Sequence, residues 1–450
     1  MDKYLDFKNK YDEFIYDSYS YFYTKDKFII SYKFIIKNLK EFNPTIKINK
    51  SIITNQNIDD NFLSYLVFHI GLVEMISYYK VTCSPKIIIN AGFLNEEQIN
   101  WFKKLIFNGL SEFFYKNNIK VDQNDFVNII INKEKSSYNL VSYNGSGNLI
   151  PIGGGKDSCV SLEILKNEKN MCFMINPKEP QILSAKAAGY DESDIITIER
   201  DIEKDKLIEL NNMGFLNGHI PFSSVVAFIS YLCAYLSNKE NIVLSNESSS
   251  NEETVIGTNI NHQYSKSLQF ENDFRYYTKK YFTDKINYFS LLRGLSEYQI
   301  SYLFSKFEKY HSVFKSCNLG SKNETWKWCL NCPKCLFVFT ILSPFLYKHK
   351  LVNIFGEDLF EREDLIDTFK EMIGESNVKP FECVGTINEA KYAISKTITN
   401  FKSDNLPFLL KYFKDNYELF LDGDDILAYN EENNVPDEYN QIIKDLIKGD

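Results

Sequence analysis

The sequence predicts an α/β protein: a parallel-sheet domain over residues 146–350, preceded by an α+β domain over 1–145 and followed by a mainly helical region over 351–450. Three observations predict it. The middle of the chain alternates short apolar runs with helical stretches, the pattern of parallel strands joined by crossover helices. A glycine run, Gly153-Gly154-Gly155, falls where the first of those strands gives way to a helix. The 450 residues, 44% of them hydrophobic, exceed one ordinary core and suffice for two or three.

The elements follow in order. SYFYTKDKFIISYKFII at residues 20–36 is aromatic and β-branched, hence extended. FLSYLVFHIGLVEMISYYK at 62–80 has the spacing of an apolar helix. KIIIN at 86–90 and DFVNIIIN at 125–132 read as strands bracketing a second helix, NEEQINWFKKLIFNGLSEFFYK, at 95–116. After the turn NGSG at 144–147 come strand NLIPI, the glycine loop, helix DSCVSLEILK, strand MCFMI, helix KEPQILSAKAAG and strand DIITI. An apolar helix, FSSVVAFISYLCAYL, and a strand, NIVLSN at 241–246, continue the alternation. The polar stretch 247–266 is too long for an ordinary connection and marks a functional loop. Helices and loops fill the last hundred residues, which end in an acidic tail.

Composition narrows the function. A net charge of −9 provides no basic field of the kind that carries nucleic-acid binding, so no nucleic-acid partner is expected. The start, MDKYLDFKNKYDEF, mixes acids with lysines and has no apolar h-region, which argues against a signal peptide. The longest strongly apolar stretch, residues 335–347, is about 13 residues long and contains Ser343 and Pro344. A membrane span needs ~20. A cytoplasmic protein without a membrane partner is the expectation. Nine cysteines without a secretory signal point to a reducing compartment, where clustered cysteines bind metal more often than they pair.

The chemistry centres on residues 153–158, Gly-Gly-Gly-Lys-Asp-Ser. Glycines lacking Cβ let backbone N–H groups close around phosphate oxygens, and the helix N-terminus adds partial positive charge. Asp157 and Ser158 stand in the first helical turn, placed for a magnesium ion (Mg2+) and a phosphate oxygen. A Walker A loop fits less well, because Asp157 separates Lys156 from Ser158. The loop resembles the PP-loop of ATP pyrophosphatases, usually Ser-Gly-Gly-x-Asp-Ser, with Gly153 in place of the serine. The resemblance implies an adenine nucleotide alpha hydrolase-like fold and cleavage of ATP to AMP and pyrophosphate, with Gly153, Gly154, Gly155, Lys156, Asp157 and Ser158 around the phosphates. It also implies adenine contacts from the strand after the first helix, residues 173–176, with Asn176 at its end.

FHIGLVEMISYYKVTCSP at 68–85, NGHIPFSS at 217–224, SNESSS at 245–250, NHQYSKSLQFE at 261–271, CLNCPKCLF at 329–337 and KPFECVGT at 379–386 accompany the loop. Together these segments resemble the UDP-N-acetylmuramoyl-L-alanyl-L-glutamate epimerase family, MurL. The resemblance implies an isomerase of peptidoglycan precursor synthesis that inverts the terminal L-glutamate of a UDP-linked muramoyl dipeptide at the expense of ATP. A carboxylate resists loss of its Cα proton; its acyl adenylate accepts the resulting charge as an enolate. Inversion then needs a base and an acid.

His219 and His262 are candidates for both roles, since an unperturbed imidazole titrates near neutrality; each is also placed to hold a loop. Lys266 is a further proton-transfer candidate, or neutralises phosphate. Glu247, at the C-terminal end of strand NIVLS, is a magnesium ligand or a cap. Arg275 belongs either to the substrate's anionic groups or to a solvated face. Cys329, Cys332 and Cys335 follow a C-x2-C-x2-C pattern with Cys317 upstream. Four thiolates suit a structural zinc ion, and the triple spacing also occurs around iron–sulfur clusters. A rival reading is a PP-loop enzyme of RNA sulfur or base modification, disfavoured by the acidic charge and the lack of a recognisable RNA-binding module.

Overall fold

The computed structural model describes residues 3–135, 141–255, 257, 258, 260–317, 319, 320, 327–376, 378–401 and 405–448. Its strands are β1 (Glu13–Tyr23), β2 (Lys27–Ile36), β3 (Lys40–Phe42), β4 (Thr45–Asn49), β5 (Lys86–Ile89), β6 (Asn128–Ile131), β7 (Asn148–Pro151), β8 (Asn170–Ile175), β9 (Ile195–Asp201), β10 (Asn241–Leu244) and β11 (Asn287–Ser290). All eleven form one sheet in the order β11-β10-β7-β8-β9-β4-β2-β1-β5-β6, with β3 paired to β2.

The α/β class is as expected, but the sheet is mixed. β7, β8, β9, β10 and β11 run parallel. β9 then pairs antiparallel with β4, Ile46 opposite Arg200, so the strands of the first fifty residues extend the parallel block. β3, β4 and β11 escape the sequence reading because, unlike the equally short KIII, NLIP and NIVL, none is a continuous aliphatic run.

Each face of the sheet has its own core. Leu149, Phe173 and Ile242 face the core that contains β2 and the helices Asp60–Glu74 and Phe222–Leu236. Ile150, Met174 and Val243 face a second core built from the helices Lys156–Ile164, Glu297–Ser305, Pro333–Leu342 and Ile387–Asn400. Strands covered on both faces become near-continuous apolar runs, as NLIP and NIVL are. β2 instead alternates, burying Phe28, Ile30, Tyr32, Phe34 and Ile36. The segment Asp60–Tyr79 is long and apolar enough to cross a membrane, yet it is 94% buried inside the fold as a core helix.

Four asparagines open β8, β7, β10 and β11 and lie side by side in the sheet. Their amides form a row: Asn287 donates to Asn241 at 3.1 Å, Asn241 to Asn148 at 3.0 Å, and Asn148 to Asn170 at 2.9 Å. Asn170 donates onward to the Leu165 carbonyl and the Tyr190 hydroxyl. The row marks the N-terminal ends of these strands. At their other ends, between β7 and β10, successive strands change side, which is where an open parallel sheet forms a ligand crevice.

Candidate active site

A cleft of about 350 Å³ occupies that switch point, lined by the glycine loop, Phe173 and Ile175 of β8, Asn246 after β10, and Lys266, Lys315, Lys334 and Cys383. The loop is shaped by its surroundings. Gly154 has φ +80°, a left-handed conformation that favours glycine, and its carbonyl accepts from Lys315 N at 2.8 Å. A Cβ at Gly155 would lie 2.6 Å from the Ser316 hydroxyl, whereas one at Gly153 would meet no atom within 4 Å. Gly155 caps the helix Lys156–Ile164 without a side-chain hydrogen bond. Initial helix N–H groups have no intrahelical partner, so this end can receive an anion. Ser158 Oγ donates to the Gly155 carbonyl at 3.0 Å.

Lys156 does not line the cleft. Its ammonium is buried beneath the loop between Asp157 and Glu297. Burial favours the neutral amine, but the two carboxylates outweigh it and hold the pKa above the usual lysine value. Asp157, Glu247 and Glu297 bring one carboxylate oxygen each within 4.8 Å of the others. Burial raises the Glu247 and Glu297 carboxyls, with Asp157 adding repulsion to both; Glu297 is pushed up to about 7. Burial pushes Asp157 upward too, but Lys156, Lys334 and Lys266 hold it below the ordinary carboxylate value. Crowded buried carboxylates with hard oxygen donors fit a divalent cation such as magnesium.

Segment 247–266 is clamped from inside. Arg293 is fully buried; its guanidinium donates to the Glu247 carbonyl at 2.7 Å, the Lys266 carbonyl at 2.6 Å and Ser250 Oγ at 2.6 Å, and pairs with Glu271 at 3.1 Å. One cation thereby fixes both ends of the segment. Val255 bridges Val378, and Lys379 pairs with Glu252, which joins this segment to residues 378–386. Thr386 then caps the helix Ile387–Asn400 in a reciprocal box with Glu389. Glu389 also accepts from Glu297 N at 2.6 Å, tying the Cys383 segment to the carboxylate cluster.

His262 Nδ1 lies 2.5 Å from Glu112 Oε2, and His219 Nδ1 lies 3.6 Å from the same oxygen. Burial works against the charged imidazole in both. In His262 the hydrogen bonds to Cys383 and Glu112 reverse this and raise it to about 9; in His219 the neighbouring His262 charge reinforces it, and the pKa falls to about 4. Their ring centroids are only 4.4 Å apart, leaving no room for a substrate carbon between them.

Asn176, at φ +45°, turns its side chain to β9, exchanging hydrogen bonds of 2.7 Å with the Arg200 backbone. Phe173 and Ile175, rather than Asn176, line the cleft. Arg275 donates to the Tyr288 carbonyl at 2.8 Å. The sequence reading missed Glu112, Glu297, Lys334 and Cys383. Glu112 lies within a long helical pattern, and Glu297 reads as an ordinary first-turn acid of a capped helix; neither carries a ligand-binding motif. Cys383 stood in the KPFECVGT segment without a spacing partner.

Cys317, Cys329, Cys332 and Cys335 form a separate cluster. Their sulfurs lie 3.5 to 3.9 Å apart in the pairs Cys332–Cys335, Cys329–Cys335 and Cys317–Cys332. A tetrahedral zinc site with Zn–S of ~2.3 Å has sulfur–sulfur edges of about 3.8 Å, so the set fits. Gly320 N and Cys329 N donate to Cys317 Sγ at 3.0 and 3.3 Å, which supports thiolate there.

A glycine loop at a sheet's switch point, with acids, lysines, a thiol and histidines converging beside it, is the frame of an α/β enzyme. Two family models match: the MurL N-terminal domain over residues 6–291 and the MurL C-terminal domain over residues 313–419. UDP-N-acetyl-alpha-D-muramoyl-L-alanyl-L-glutamate epimerase of Micromonospora sp. is 33% identical over 333 residues, 72% of each chain. The proteins of that name from Xanthomonas oryzae pv. oryzae and Salinispora tropica are each 32% identical, over 72% of this chain and 72% and 71% of their own. No solved structure matches. The chain belongs to the MurL epimerase family.

Proposed function

We propose that this protein inverts the terminal L-glutamate of UDP-N-acetylmuramoyl-L-alanyl-L-glutamate to D-glutamate, through an acyl adenylate formed from ATP. The observation that carries the reading is one cleft shared by the glycine loop, Asp157 and Lys266, in a chain whose relatives bear that epimerase name. A carboxylate oxygen of the substrate attacks the α-phosphorus, its new O–P bond replacing the bond to the leaving pyrophosphate. The loop amides and the start of helix Lys156–Ile164 hold the leaving group, as in a PP-loop fold. Asp157, Glu247 and Glu297 would hold magnesium, which offsets the charge on pyrophosphate. Cys317, Cys329, Cys332 and Cys335 would hold a structural zinc ion. A UDP-linked substrate supports a cytoplasmic reaction. No observation favours RNA modification.

The test is to supply the purified protein with ATP, magnesium and the UDP-linked muramoyl dipeptide in heavy water. Equal AMP and pyrophosphate should appear, with D-glutamyl product deuterated at Cα. ADP and phosphate would exclude the adenylate. No nucleotide turnover with this dipeptide would exclude the substrate.

A further inference from the structure

The group that removes the Cα proton is the step left unassigned, and the cleft offers one sulfur for it. Lys266 Nζ donates to Cys383 Sγ at 3.0 Å, while Lys334 holds the Cys383 carbonyl. His262, held by Glu112, stands near enough to the same thiol to act on its charge. Glutamate, histidine and cysteine thus form a chain that ends at the cleft wall, and His219 packs on its middle member.

The remaining isolated cysteines are built differently. Cys83, Cys159, Cys172 and Cys233 are buried in the hydrophobic cores, where burial pushes each thiol up, Cys159 and Cys172 to about 12. Burial acts on Cys383 as well, but Lys266, His262 and Lys334 overcome it and bring the thiol down to about 5. A sulfur that faces a cleft with a lysine ammonium 3.0 Å away is placed to act as a thiolate, as a space-filling core thiol is not.

Resting on the proposed reading above, we propose that Cys383 is the catalytic base that takes the Cα proton from the adenylated glutamyl residue. The Cα–H bond breaks toward Sγ, its electron pair enters the acyl carbonyl as an enolate, and water returns a proton to the opposite face of Cα. The thiol then loses its proton to solvent, and water cleaves the acyl–phosphate bond of the inverted adenylate to give the D-glutamyl carboxylate and AMP. One proton leaves and one arrives, with no change of oxidation state. Lys266 and His262 are positioning residues that keep the sulfur ionised.

The experiment compares wild type with Cys383→Ser and Cys383→Ala, using ATP, magnesium and the muramoyl dipeptide in heavy water, and reads Cα-deuterated D-product per pyrophosphate released. General bases contribute about 10²–10⁴-fold. That ratio should fall at least about 100-fold in both variants, and a fall of less than tenfold in Cys383→Ser would overturn the proposal. Intact-mass detection of a glutamyl thioester on Cys383 would also overturn it, making the sulfur a nucleophile. A wild type that releases no pyrophosphate would remove the underlying reading instead. Should both variants fail to fold, peptide mapping after brief iodoacetamide treatment of wild type decides. Cys383 should label faster than Cys83, Cys159, Cys172 or Cys233, and equal rates would sink the assignment.

Discussion

Lys156 illustrates how a residue of a binding loop can serve the fold beneath it. Its buried ammonium pairs with both Asp157 and Glu297. Removing one partner of such a pair costs about 3–5 kcal/mol, because the other charge stays buried alone. Lys156→Met should therefore lower unfolding free energy by about that amount in urea titration, and adding Glu297→Gln should recover part of it. Asp157→Ala should instead abolish pyrophosphate release with little change in the urea midpoint, because its carboxyl is partly open to the cleft and Lys156 keeps Glu297 as a buried partner. A pH window belongs to Glu112 and His262. His262, raised to about 9, contributes stability that is complete below its unfolded value of ~6.5 and lost as pH climbs through 9. For Glu112, burial acts upward but His262 and Lys116 dominate and lower it to about 2; its contribution is complete above ~4.5 and lost toward pH 2. The melting-temperature gap between wild type and Glu112→Gln should thus peak between about pH 4.5 and 6.5, with His219, Cys383 and Lys116 as the other ionisable neighbours. Asp157 and Glu247 were legible in the sequence because a loop and a strand end identify them locally. Glu112 was not, since its meaning depends on His262, 150 positions away.

At the scale of elements, the Arg293 clamp sets the shape of segment 247–266. Arg293→Lys keeps the charge but loses the planar fork that reaches two carbonyls and a hydroxyl together. It should release the segment to limited proteolysis and reduce pyrophosphate formation, read by mass mapping of the cleavage site alongside the activity assay. Arg293→Met should be worse, leaving Glu271 unpaired in the interior. The cysteine knuckle makes an independent forecast. Cys332→Ser should reduce zinc to well below one ion per chain by elemental analysis and lower the melting temperature; iron and sulfide in wild type would refute zinc. The length of segment 247–266 was legible in the sequence. Its internal cation was not, because Arg293 follows a four-residue strand and looks, in sequence, like any surface arginine.

Across the whole molecule, the pairing of β4 with β9 joins residues 13–49 to the parallel block. Hydrophobic patterning reports which face a strand buries but not which distant strand it meets, so this seam was invisible beforehand. A chain starting at residue 146 would expose the edge of β9 and the apolar face of helix Phe222–Leu236. It should be recovered mainly as aggregate, measured by soluble yield. The asparagine row at the opposite end of β7, β8, β10 and β11 bears on how these strands find their places at all. Runs as uniform as NIVL and NLIP could slide past their neighbours with little loss of apolar contact, apart from the face reversal that a one-residue slip brings. The amides remove that tolerance. Any slip would leave buried side-chain donors and acceptors unpaired at about 1–3 kcal/mol each, which disfavours misaligned sheets. Replacing Asn148 and Asn241 together by leucine should lower refolding yield from urea more steeply than native stability. The row would then be a proofreading device for the fold, and the polar price of a single correct solution among many greasy ones.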